Sequence, residues 1–306
     1  KQVSDPALRA WGLREIASLT SQGALYSQAA QAAGLINDPV QRARVLREIA
    51  LQSGDTALFA DALAALEQVS GAAQAYGLSE LAVASHDVTL IERIPAAYPA
   101  ARTLALARLG QFEQAWEAAA LINDPYERSH AQAFIASAWQ NPDAAYQISI
   151  PPLRNRALRD ITVLSGDSSL ANKIDSVYYK VQALTRLGQY QAAWESAVQL
   201  SDKYPLVELA LAWSQSDPKV ALEIVDKMDR EADKAQALRA IAIVTNDPAD
   251  FERALGMALA ARVRNDPLAP VRASLDLALA FLPIDGAKAQ LAFEQAYQAA
   301  LRIATK

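Results

Sequence analysis

His86 and His130 are the residues of this 306-residue chain best suited to moving protons near neutral pH. No spacing around them supplies the convergent partners that a metal site or a nucleophile triad requires. His86 occupies the turn position that Gly54 holds one unit earlier, so it reads as a helix cap, and His130 falls early in a helix. With no cysteine there is no thiolate ligand, cysteine nucleophile or disulfide framework. The few glycines mark turns and form no phosphate-binding loop. Asp226, Asp229, Glu231 and Asp233 crowd together without the spacing or the glycine of a calcium loop, and read as a solvated turn running into an acidic helix start. Paired carboxylates across a helical toroid would suit glycoside hydrolysis, but Asp124, Asp217 and Asp247 each precede a proline, where helix capping accounts for them. The expectation is a chain without catalytic residues, metal or cofactor.

Arginine is the charged residue whose spacing recurs. Arg14, Arg47, Arg159 and Arg239 stand in one slot of a repeated phrase, and Arg108 and Arg186 lie one residue later in theirs. If the first helices of a stack line its concave side, these six guanidinium groups form a ladder facing a groove, able to take an acidic peptide or a carboxylate terminus bidentately. The other reading is that each arginine pairs with an acid of its own or the next unit, such as Glu15, Glu48 or Asp160. The tryptophans recur as well, Trp116 with Trp194 and Trp139 with Trp213, as stacking of successive units requires. Trp11 has no copy and lies in the first helix, which makes it a candidate for a terminal interface.

The elements that must position these residues are helices. Eleven glycines, abundant Ala, Leu, Gln and Glu, and 52% apolar residues favour helix interiors and a sizeable core. Asp-Pro at Asp5, Asp38, Asp124, Asp217, Asp247 and Asp266, and Asn-Pro at Asn141, place a capping side chain ahead of a proline that needs no donor. Ser53-Gly54-Asp55 and Ser165-Gly166-Asp167 read as a C-terminal left-handed glycine followed at once by the next N-cap. Pro95, Pro99, Pro151 and Pro152 fall between helices.

Repetition orders these helices. Leu13-Arg14-Glu15-Ile16-Ala17 returns 33 residues on as Leu46-Arg47-Glu48-Ile49-Ala50, then more loosely from Leu78, Leu158 and Leu238. Ten residues from Arg108 to Glu117 are echoed 78 positions later from Arg186 to Glu195, within a duplication of roughly 98–174 and 178–254. The sequence predicts an all-α chain, an α-solenoid of about ten antiparallel helical hairpins stacked in a right-handed superhelix. It reads as a single repeat domain over 1–306, with 227–306 as a candidate C-terminal cap of longer units.

Leu187-Gly188-Gln189-Tyr190-Gln191-Ala192-Ala193 and its copy from Leu109 resemble the middle of a tetratricopeptide repeat. There the first helix ends at Leu-Gly and a Tyr-x-x-Ala phrase opens the second. Pro39-Val40-Gln41-Arg42 and Pro125-Tyr126-Glu127-Arg128 resemble a broader class of bacterial tetratricopeptide-like repeats, and Val271-Arg272 after Asp266 looks more like a HEAT repeat. Unit lengths of roughly 26 to 40 depart from the regular tetratricopeptide period. The resemblance implies a non-catalytic scaffold or adaptor that takes a protein or peptide, and supplies no catalytic residue. The alternatives are a structural subunit that self-associates through its end hairpins and a helical-toroid enzyme acting on polysaccharide.

The net charge of −5 argues against nucleic acid as partner. Residues 51–100 carry six acids and one base against four acids and six bases in 1–50, an asymmetry able to steer a partner or simply a set of solvated helix faces. No apolar run approaches a membrane span, and no basic-then-apolar leader opens the chain, so a soluble, cytoplasmic protein is expected; a periplasmic or secreted one whose leader has been removed would read the same.

Overall fold

A computed structural model describes residues 4–198, 205–260 and 266–304. The predicted copy 178–254 and C-terminal segment 227–306 each contain residues outside these ranges. Among the described residues the chain is all-helical, with nineteen α-helices, one 3₁₀ helix and no strand. None of these helices is long and apolar enough to cross a membrane.

The helix starts follow the capping chemistry. The carboxylate of Asp5 accepts from the backbone N–H groups of Ala7 and Leu8 at the start of α1 (Pro6–Thr20), and that of Asp38 from Val40 and Gln41 at the start of α3 (Pro39–Ser53). Asp124 accepts from Glu127 at α9 (Pro125–Trp139), Asn141 from Ala144 at α10 (Pro142–Tyr146), and Asp217 from Lys219 and Val220 at α15 (Pro218–Asp226). Asp266-Pro267 differs. The Asp266 carboxylate accepts from Leu268, but α18 begins at Ala269, so the motif closes a turn ahead of the helix. Helix ends use left-handed residues, glycine at Gly54 and Gly166 as expected, and also Ser21, His86, Gln140 and Asn246. His86 therefore ends α5 (Ala72–Ser85) in the role of Gly54.

The chain divides into two compact units, Lys1–Ala157 and Leu158–Lys306. The first also contains α2 (Gly23–Gly34), α4 (Ala57–Leu66), α6 (Thr89–Glu92), α7 (Pro99–Arg108) and α8 (Phe112–Ala120). Here α1 packs on α2, α3 on α4, α5 on α6, α7 on α8 and α9 on α10, while α1, α3, α5, α7 and α9 pack in series. Fully buried alanines such as Ala29, Ala62, Ala75 and Ala105 let the helix backbones approach, and Ile49, Leu81 and Ile135 fill the space between them. α11 (Pro151–Ser165) carries the chain across the boundary.

The second unit continues with a 3₁₀ helix (Ser168–Lys173), α12 (Val177–Arg186), α13 (Tyr190–Ala197), α14 (Pro205–Ser214), α15, α16 (Glu231–Thr245), α17 (Pro248–Ala260), α18 (Ala269–Phe281) and α19 (Gly286–Ala304). Its packing follows the same rule, α12 on α13, α14 on α15, α16 on α17 and α18 on α19, with α12, α14, α16 and α18 in series. Its core is built on Leu209, Ile224, Leu238, Ile241 and Phe281, with Phe251 edge-on to Phe281.

Candidate functional site

The left-handed residues at helix ends give the arginines a common ruler. Arg14, Arg47, Arg159 and Arg239 each stand seven residues before one, Ser21, Gly54, Gly166 and Asn246 respectively. Arg108 and Arg186 stand two before Gly110 and Gly188, in the last helical turn, and so leave the helix in a different direction from the other four.

Five of the six meet acids. Arg14, with its side chain only 7% exposed, pairs with Glu15 and with Glu48 on α3, and Arg47 on α3 pairs with Glu80 on α5. The first-helix arginine thus reaches the acid next to the equivalent slot of the following first helix. Arg159 holds Asp160 at 2.6 Å and donates to Gln182 on α12 at 2.9 Å, and its guanidinium carbon lies 5.4 Å from the centre of the Tyr179 ring. Arg186 donates to Glu208 on α14 at 2.8 Å, and Arg239 lies 3.5 Å from Asp276 on α18. These contacts tie successive first helices together.

Arg108 is different. Among the described residues no acid lies within ion-pair range of it, and it is exposed at the edge of a cleft of about 460 Å³ within the first unit. One wall is a stripe on α7 made by Ala100, Thr103, Leu104 and Arg108. The facing wall, on α9, is Tyr126, Glu127, His130 and Phe134, and Tyr76 closes it from α5. Tyr126, His130 and Phe134 recur every four residues, so they share one helix face, alongside the strip of small buried side chains Ser129, Ala133 and Ala136. The Tyr126 and His130 rings lie 6.4 Å apart, tilted by 38°. Tyr126 is 61% exposed, Phe134 48% and Tyr76 45%. The hydroxyl of Thr103, a residue only 3% exposed, has no hydrogen-bond partner.

Of the residues that the sequence singles out as candidates, the cleft takes Arg108 and His130. The aromatic stripe is not copied between units; its signal in the sequence is the four-residue recurrence along a helix that also carries a strip of core residues. The recurrent tryptophans behave as packing residues. Phe112 stacks on Trp139 with centroids 6.1 Å apart, and the repeat-equivalent Tyr190 stacks on Trp213 at 5.6 Å, while Trp116 and Trp194 are half-buried against the two cores. Trp11 is 53% exposed on α1 under the Arg14 guanidinium, 5.2 Å from its ring centre.

Among the described acids, Asp226 pairs with Arg253 and Asp233 lies 3.8 Å from Arg230, so that cluster is tied to cations of its own surroundings. Hydrogen bonds from the side chain and backbone of Ser169 hold the Asp167 carboxyl below its ordinary value, and the Arg272 guanidinium does the same for Asp266. Both are structural carboxylates, one capping the 3₁₀ helix and the other fastening the turn before α18. Comparison with protein-family models, with curated proteins and with solved structures gave no match to this chain.

Proposed function

We propose that this chain is a non-catalytic binding scaffold that seats a segment of another protein in the aromatic cleft of α5, α7 and α9. In this reading the helices are ten hairpins of a right-handed, tetratricopeptide-like α-solenoid. The serial packing of first helices within each unit, with each second helix laid against its own first, supports that arrangement.

The observation that carries the reading is the cleft itself. Three large aromatic side chains, Tyr76 on α5 and Tyr126 and Phe134 on α9, stand in solvent at substantial hydrophobic cost, beside an arginine that no acid among the described residues holds. Tyrosine and arginine anchors on a rigid surface provide contact area with little loss of side-chain entropy, as binding hot spots require. The test is selection of random displayed peptides on the intact chain. Recovered peptides should lose binding to a Tyr126→Ala, Phe134→Ala double variant and keep it for Arg47→Ala with Arg159→Ala. Equal recovery on the aromatic variant and the parent would reject the cleft.

Self-association is a second reading, favoured by Leu291, Phe293 and Tyr297 exposed along α19. Light scattering across a concentration series decides it, since a strict monomer has no such contact.

A further inference from the structure

The features lining the cleft define the chemistry of its occupant more narrowly than binding scaffold does. Its apolar part is formed by Tyr76, Tyr126, Phe134 and Leu104, which match an aromatic or large aliphatic side chain. Its charged parts are Arg108, near the C-terminal end of α7, and Glu127, in the first turn of α9.

We infer that the cleft takes a peptide segment in which an aromatic or large aliphatic side chain is followed closely by one carboxylate, the ring seated among Tyr76, Tyr126 and Phe134 and the carboxylate on Arg108. The inference rests on the binding-scaffold reading above and goes beyond it in naming the ligand. Charge complementarity carries the acid. Arg14, Arg47, Arg186 and Arg239 pair with acids on neighbouring helices and Arg159 with the adjacent Asp160, whereas Arg108 lines the cleft with no ion-paired acid among the described residues. Glu127 limits the charge to a single acid, because a run of carboxylates crossing the cleft would meet it at close range. Nucleic acid fits poorly, with one cation and one anion in the cleft on a chain of net charge −5.

The experiment is the same random peptide selection on the intact chain, followed by fluorescence-polarisation titration of the most enriched synthetic peptide. Enriched sequences should share an aromatic or aliphatic residue with Asp or Glu within the next few positions. Replacing that acid by its amide should weaken binding about tenfold, Arg108→Ala should weaken it by a similar factor, and the two losses should not add. Arg108→Lys should recover part of the loss, and Arg9→Ala, at an exposed arginine outside the cleft, should change nothing. Peptides that depend on Tyr126 and Phe134 but carry no acid, or that ignore Arg108→Ala, would overturn the inference and leave the scaffold reading standing. Peptides that ignore the aromatic residues as well would overturn both.

Discussion

Arg14 on α1 and Arg108 on α7 carry the same guanidinium, and their places on the helix and their surroundings separate their roles. Arg14 is buried between two carboxylates, so removing one leaves a poorly compensated charge in a dry site. Breaking a buried pair costs about 3–5 kcal/mol. Glu15 remains as a partner, so Glu48→Ala should destabilise by about 2 kcal/mol in urea unfolding. The exposed Arg253–Asp226 pair makes the contrast, and Asp226→Ala should cost less than about 1 kcal/mol. Asp167 and Asp266 are carboxylates whose hydrogen-bond partners lower their pKa in the folded state. Their contribution is therefore present above the unfolded carboxylate value near ~3.9 and fades as pH falls through the lower folded value. Asp266→Asn should melt below the parent at pH 7, and the gap between the two melting curves should close at pH values below about 4.

At the scale of the helix, two glycines test packing against propensity. Gly77 sits within α5, where a Cβ would overlap the buried side chain of Leu66. Alanine gains about 1 kcal/mol of helix propensity there, but overpacking costs about 1–3 kcal/mol, so Gly77→Ala should destabilise. Gly12, within α1, has open space at the same position, and Gly12→Ala should stabilise by about 0.5–1 kcal/mol in the same thermal melts. Helix ends show how local chemistry can be read correctly while an element is misplaced. Six of the seven Asp-Pro and Asn-Pro motifs open a helix, because cap and proline act within one turn. Asp266-Pro267 closes a turn instead, with the Asp266 carboxylate shared between the Leu268 N–H and the Arg272 side chain.

At the scale of the molecule, each unit has a core in which each described helix meets only its near neighbours. Stability in such a chain is carried locally. Hydrogen exchange of Gly77→Ala should show protection lost in α3, α4 and α5 and retained in α16 and α17, whereas uniform loss would mean that the chain unfolds as one unit. The all-helical class was legible in the residues, since glycine scarcity, apolar periodicity and capped prolines are local signals that act within a turn or two. The arginine slot was legible for the same reason, as a copied phrase at a fixed distance from a left-handed residue. What occupies that slot was not. Arg14 finds Glu48 34 positions away, and Arg108 pairs with no acid among the described residues and lines a cleft with Tyr76 and Phe134, because these encounters depend on how helices pack side by side. Sequence alone determined the helices and the residues they repeat; only tertiary packing decided which of the six arginines meet acids and that Arg108 faces a cleft instead.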